Sequence, residues 1–192
     1  RTGAEMLKTM LSASPELNFT NELYVLCPRW LHKDLRANLS THVGDLASPT
    51  ALDAVIDLVF SGTLFGWTWH HADKELDRDL LRAELVKRPL TIESILTAVL
   101  CVNATLRNKP RQGAKFPVHY SYAPQLMQWY PNCSVIHTTR DPRAVYASQA
   151  NKYLKPTDGP ARQAFEKSRQ FLHINIQVAW TAEIHRRMES VP

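Results

Sequence analysis

Arg140 and Ser148 are the side chains whose type and spacing best suit a phosphate. Thr139-Arg140-Asp141-Pro142-Arg143 lies where a β-branched run, residues 134–139, gives way to a helical pattern that continues to residue 153. Such a junction offers unpaired backbone N–H groups and the positive end of a helix dipole, both favourable to an anion. Arg140 would stand at the carboxyl end of the strand, where open α/β sheets place their ligands. Ser148 follows eight residues later, about two helical turns on, so its hydroxyl can face the same pocket. A forked charged donor and a short neutral one suit a phosphate monoester. A plainer account has Asp141 capping the helix and Arg143 pairing with an acid. The residues alone leave both accounts open.

The elements that must carry this junction are mostly helical. Met6, Leu7, Met10 and Leu11 recur at helical spacing over residues 4–12 until Ser14-Pro15 stops them. A strand is expected near residues 17–19. Helices are expected over 51–60, between Ser48-Pro49 and Gly62, then over 76–87, and over 92–106 with Thr91 as N-cap. A further helix over 119–130 ends at Pro131. The run 134–139 is the clearest strand, and a helix follows over 141–153 with Pro142 in its first turn. The last helix spans 160–188, with Phe165, Leu172, Ile176 and Ala179 on one face. Helices around a strand–loop–helix phosphate junction point to an α/β fold.

Bulk properties narrow the class. The 192 residues suffice for one domain with a core, and 44% hydrophobic against 21% charged residues is ordinary globular composition. No apolar run approaches the roughly 18 residues of a membrane span, and no apolar leader follows Arg1. The net charge of +5 suits an anionic ligand. The Lys and Arg residues are scattered, however, and no basic stripe interleaved with aromatics speaks for nucleic acid. Cys27, Cys101 and Cys133 are odd in number and contain no C-x-x-C, which argues against a disulfide framework or a zinc site. Cys27 beside Pro28 reads as a small buried residue rather than a nucleophile. His70-His71 with Asp73 lacks the i, i+4 spacing of helical ligands, so no metal is expected. Phe60, Phe65, Trp67 and Trp69 read first as core. The sequons at Asn18, Asn38, Asn103 and Asn132 read mostly as chance.

Taken with its surroundings, R-D-P-R at 140–143 with a Ser eight residues after its first Arg resembles the 3′-phosphate motif of sulfotransferases that use 3′-phosphoadenosine 5′-phosphosulfate (PAPS). Upstream, Gly113-Ala114-Lys115-Phe116-Pro117 is similar to the G-x-K-x-P element of the bacterial branch, and W-Y-P-N-C-S-V-I-H at 129–137 to the family's L-F-P-x-A-x-F-I-H. Arg1-Thr2-Gly3-Ala4-Glu5-Met6-Leu7 looks like the family's 5′-phosphosulfate loop, R-[ST]-G-[ST]-T-x-L. Glu22 falls 21 residues after Arg1, the position of the glutamate proposed as general base in tyrosylprotein sulfotransferases and their bacterial relatives.

The resemblance implies an α/β, P-loop-like sulfotransferase fold: a parallel sheet flanked by helices, with a helical insertion over about 29–108. It implies a single domain over 1–192, partial at both ends, lacking a strand before Arg1 and a section after Pro192. It also implies transfer of a sulfuryl group from PAPS to an acceptor hydroxyl or amine, without a metal. Glu22 would be the base, and Lys115 and Arg1 would stabilise charge on the transferring group and the bridging oxygen. Arg1, Thr2, Gly3, Ala4, Glu5 and Met6 would cradle the phosphosulfate, while Arg140 and Ser148 hold the 3′-phosphate. Ala4 and Glu5 depart from the family's two hydroxyl residues; Ala4 forgoes a donor worth about 1 kcal/mol, and Glu5 would repel the phosphosulfate unless turned outward. The acceptor is a small molecule, lipid, glycan or tyrosyl peptide, bordered by Tyr24, Trp30 and residues 67–71. His119 either assists or caps its helix. The bacterial-type spacing around Lys115 favours the cytoplasm, and the sequons leave a Golgi lumen open. Two rivals are a relative that kept the nucleotide site without the chemistry, and a P-loop kinase or NTPase, whose G-x-x-x-x-G-K-[ST] is absent.

Overall fold

Two short parallel strands organise the site. In the computed structural model, Leu17–Glu22 forms β1 and Arg111–Lys115 forms β2, hydrogen-bonded in parallel. The structure describes residues 3–23, 25–26, 35–61, 74–116, 122–138, 141, 143–144, 147–148 and 159–189. They fall in two compact units, one drawn from residues 6–119 and the other from 1–5 and 120–192.

Parallel neighbours need a long crossover, and in the 6–119 unit that crossover is helical wherever a regular element is described. It comprises α2 (Leu35–His42), α3 (Ala51–Phe60), α4 (Arg78–Leu85) and α5 (Ile92–Leu106). The last begins with a reciprocal cap: Thr91 Oγ1 accepts from the Ser94 N–H, and Ser94 Oγ accepts from the Thr91 N–H. Asp77 caps α4 by accepting from the Leu80 N–H, which starts that helix two residues later than periodicity alone suggests. Helix α5 packs on both strands and on α4, and Ile56, Leu81, Ile95 and Leu96 are fully buried. Arg78 bridges α3 and α4 from the surface, with its guanidinium 2.8 Å from Asp57 and over the Phe60 ring.

The sequence pattern does not announce β2. Arg111-Gln112-Gly113-Ala114-Lys115 has no β-branched residue, and its extended form comes from pairing and from contact with β1, which override propensity. Gly113 shows the contact directly: a Cβ placed there would sit 2.6 Å from the Phe19 ring. Gly113→Ala is therefore expected to cost about 1–3 kcal/mol through overpacking. Urea unfolding of the two proteins checks this, and an unchanged midpoint would refute the packing argument.

The buried asparagines of two sequons have structural roles. Asn18 and Asn103 are 4% and 1% exposed, and Asn18 Nδ2 donates to Asn103 Oδ1 at 2.6 Å. A glycan on either is incompatible with this fold.

The other unit holds α6 (Ala123–Trp129), with Pro124 in its first turn, and α7 (Pro160–Glu189), which contact each other. The start of the expected helix at 119–121 lies outside the described residues. Residues 134–138, expected as the clearest strand, form none: the sheet among the described residues consists of β1 and β2 alone. Val135 and Ile136 are 41% and 59% exposed. β-Branched residues favour extended backbone, but a strand exists only where a neighbour accepts its hydrogen bonds. Residues 143–144 and 147–148 are helical, as expected. On α7, Phe165 and Leu172 are exposed rather than buried.

Candidate active site

Glu22 and Lys115, assigned by resemblance as base and catalytic lysine, meet. Lys115 Nζ lies 2.6 Å from Glu22 Oε1, with the side chains 18% and 23% exposed. Both stand at the carboxyl ends of their strands, the end at which parallel sheets present ligands.

A bulge makes this contact. Phe19 is opposite Gly113 and Glu22 is opposite Lys115, so β1 takes three steps where β2 takes two. Side chains alternate faces along a strand. In unbroken register Asn21 would stand beside Lys115, and Glu22 would point to the other face. The extra residue turns Glu22 onto the face of Lys115, the re-aiming for which bulges are known. Beyond it the Leu23 N–H donates to the Lys115 carbonyl at 3.2 Å, which closes the strand ends together.

The contact places a side chain able to accept a proton directly beside a cation. The same ammonium that orients it is a cation suited to charge developing on an oxygen nearby. A base and an electrostatic stabiliser side by side suit group transfer to a hydroxyl.

The remaining expected residues are in the other unit, apart from Met6. Gly3 has φ +84°, a backbone that side chains rarely adopt, and it leads directly into α1 (Ala4–Ser12). The first turn thus offers the N–H groups of Ala4, Glu5 and Met6, as an anion-cradling loop requires. Glu5 is exposed. Ser148 is helical and exposed. Arg1, Thr2 and Arg140 lie outside the described residues, as do His119, Tyr24, Trp30 and residues 67–73.

The plainer account of Asp141 and Arg143 is partly right. Asp141 Oδ1 accepts from the Arg143 N–H at 2.8 Å, and Asp141 Oδ2 accepts from the guanidinium at 2.7 Å. Those side-chain and backbone hydrogen bonds from Arg143 pull the Asp141 carboxyl down to about 2. The folded value being the lower one, the turn keeps its charged partner at neutral pH and loses it only in strong acid. Arg143 is thereby paired with Asp141.

The family model described as Sulfotransferase family matches residues 1–190. The chain belongs to the sulfotransferase family. As a sulfotransferase it is a transferase whose general chemistry is sulfuryl transfer, and the family generally takes PAPS as donor. No curated protein and no solved structure matches the chain. The small parallel sheet with its helical crossover is compatible with the sulfotransferase fold. Among the described residues no helix is long and apolar enough to cross a membrane, and no group of three His, Cys, Asp or Glu side chains gathers to hold a metal.

Residue types and family spacing did not reveal a polar network that reaches the residue before Glu22. Asn21, Glu75, Asn103 and Arg107 form one polar cluster beside β1. Its members are separated by 28 to 54 residues where they bond, so no local pattern marks them. Asn103 appears in the sequence only as a sequon.

Proposed function

We propose that this sulfotransferase moves the sulfuryl group of PAPS to an acceptor hydroxyl or amine in a single in-line displacement. The contact between Glu22 and Lys115 carries the reading: a carboxylate and an ammonium, placed together by a bulge at the ends of parallel strands. Glu22 takes the acceptor's proton as the new S–O or S–N bond forms. Lys115, with Arg1, stabilises the bridging oxygen as the bond to sulfur breaks and charge builds on the departing phosphate. The N–H groups at the start of α1, led by Gly3, cradle the phosphosulfate. Arg140 and Ser148 hold the 3′-phosphate and so fix the donor in line. Exposure of Glu5 supports binding despite its charge, since an acid in the first helical turn is favourable when it faces water. The acceptor lies at the helical crossover, and the cytoplasm is the compartment that fits the spacing around Lys115.

Arg140→Ala tests the donor assignment. Loss of a charge-assisted contact to a phosphate is expected to weaken adenosine 3′,5′-bisphosphate binding by roughly 10–100-fold, read by titration calorimetry with the fold checked by its melting temperature. Equal affinity would remove Arg140 from the site. Stabilisation by ATP with Mg²⁺ in place of PAPS would favour the kinase class instead.

A further inference from the structure

The bulge that turns Glu22 toward Lys115 is tied down on both sides. Asn21, immediately before Glu22, accepts from Lys8 Nζ of α1 at 3.1 Å and donates through Nδ2 to Glu75 Oε1 at 3.1 Å. Asn18, on the other side of the bulge, donates to Asn103 of α5. Asn103 Nδ2 in turn donates to the Glu75 carbonyl at 2.9 Å and to Glu75 Oε2 at 3.1 Å. Arg107 closes the cluster with an ion pair to Glu75 Oε2 at 2.7 Å. Asn18, Asn103 and Glu75 thus form a bridge from one side of the bulge to Asn21 on the other.

The physical need for such a bridge is plain. A bulged segment loses ladder hydrogen bonds and could relax to unbroken register, which would send Glu22 to the opposite face. The fully buried Thr20 lies between the two asparagines, and its hydroxyl finds no hydrogen-bond partner. With Asn18 and Asn103 nearly excluded from water, a broken bridge leaves unmatched polar groups, which favours the bulged arrangement over alternatives. A cleft of about 660 Å³ opens beside the cluster, lined by Lys8, Arg107 and Lys109 among others. Each of these cations already has a partner in the protein, Lys109 Nζ donating to the Ser14 carbonyl at 2.5 Å. Of the three, Arg107 is paired with a carboxylate, that of Glu75.

We infer that Glu75 is a positioning residue for sulfuryl transfer: through Asn21 and Asn103 it holds the β1 bulge in the register that sets Glu22 on Lys115. This rests on the proposed roles of Glu22 and Lys115, and its test separates the two claims. Glu75→Ala, Asn21→Ala and the double variant are compared with the wild type by native-state hydrogen exchange and by steady-state kinetics. Exchange at the Leu23 amide, which donates to the Lys115 carbonyl, should accelerate about tenfold or more in each single variant while core amides of α3 and α5 stay protected. The value of kcat should fall roughly 10–100-fold with the donor KM unchanged, and the double variant should be no worse than the poorer single one. Unchanged exchange at Leu23 overturns the inference whatever the activity, and so does acceleration spread over every core amide. Accelerated Leu23 exchange with full kcat overturns it as well. Should the wild type transfer no sulfuryl group, the functional reading fails, and Leu23 exchange still decides whether Glu75 holds the register.

Discussion

Glu22→Gln is expected to lower kcat by roughly 10²–10⁴-fold, the usual contribution of a positioned general base. The substitution keeps shape and leaves an amide oxygen that can still accept from Lys115, so the strand ends should stay joined. What is lost is the capacity to take the acceptor's proton while its oxygen or nitrogen attacks. Affinity for adenosine 3′,5′-bisphosphate should be unchanged, because no atom of that product needs the carboxylate. Steady-state assays beside calorimetry separate the effects. Wild-type turnover in the variant would remove Glu22 as the base, and lost nucleotide affinity would place it in donor binding.

Lys115→Met should act on the same step from the other side, with a loss of roughly 10²–10³-fold in kcat, as for removal of one donor aimed at developing charge. Methionine keeps an unbranched apolar stem of similar reach and removes only the ammonium. Two signatures distinguish it from Glu22→Gln. A half-buried carboxylate loses its cation, so the melting temperature should fall. The loss in kcat should also shrink for donors whose leaving group needs less stabilisation. Combining the two substitutions should give much less than the product of their separate effects, since members of one catalytic unit are not additive. A fully multiplicative result would mean that the two side chains act in separate steps.

How much of this was readable from residues alone varies with how local each signal is. Helix α3 appears where its apolar periodicity places it, and α5 begins at the Thr91 cap, because periodicity and capping are properties of neighbouring residues. Strand identity is not local. Residues 134–139 carry the right side chains, yet 134–138 form no strand, while Arg111–Lys115 carries the wrong ones and does. Glu22 and Lys115 were legible only as family spacing, and nothing in that spacing says that they touch. Their contact depends on an extra residue in β1 that no composition rule detects. Glu75 lay beyond reach altogether, since its importance comes from partners on β1 and at the end of α5, 28 to 54 residues away.

The bulge also bears on how this chain can change over generations. Because the face presented by Glu22 depends on the parity of the residues between Phe19 and the strand end, the site stores one bit of information in a length rather than in an identity. Point replacements at Thr20 leave that bit intact, whereas loss or gain of a single codon there inverts it. The stretch should therefore drift in letters while staying fixed in count, and relatives aligned across it with a gap would have exchanged their base for a residue on the far side of the sheet.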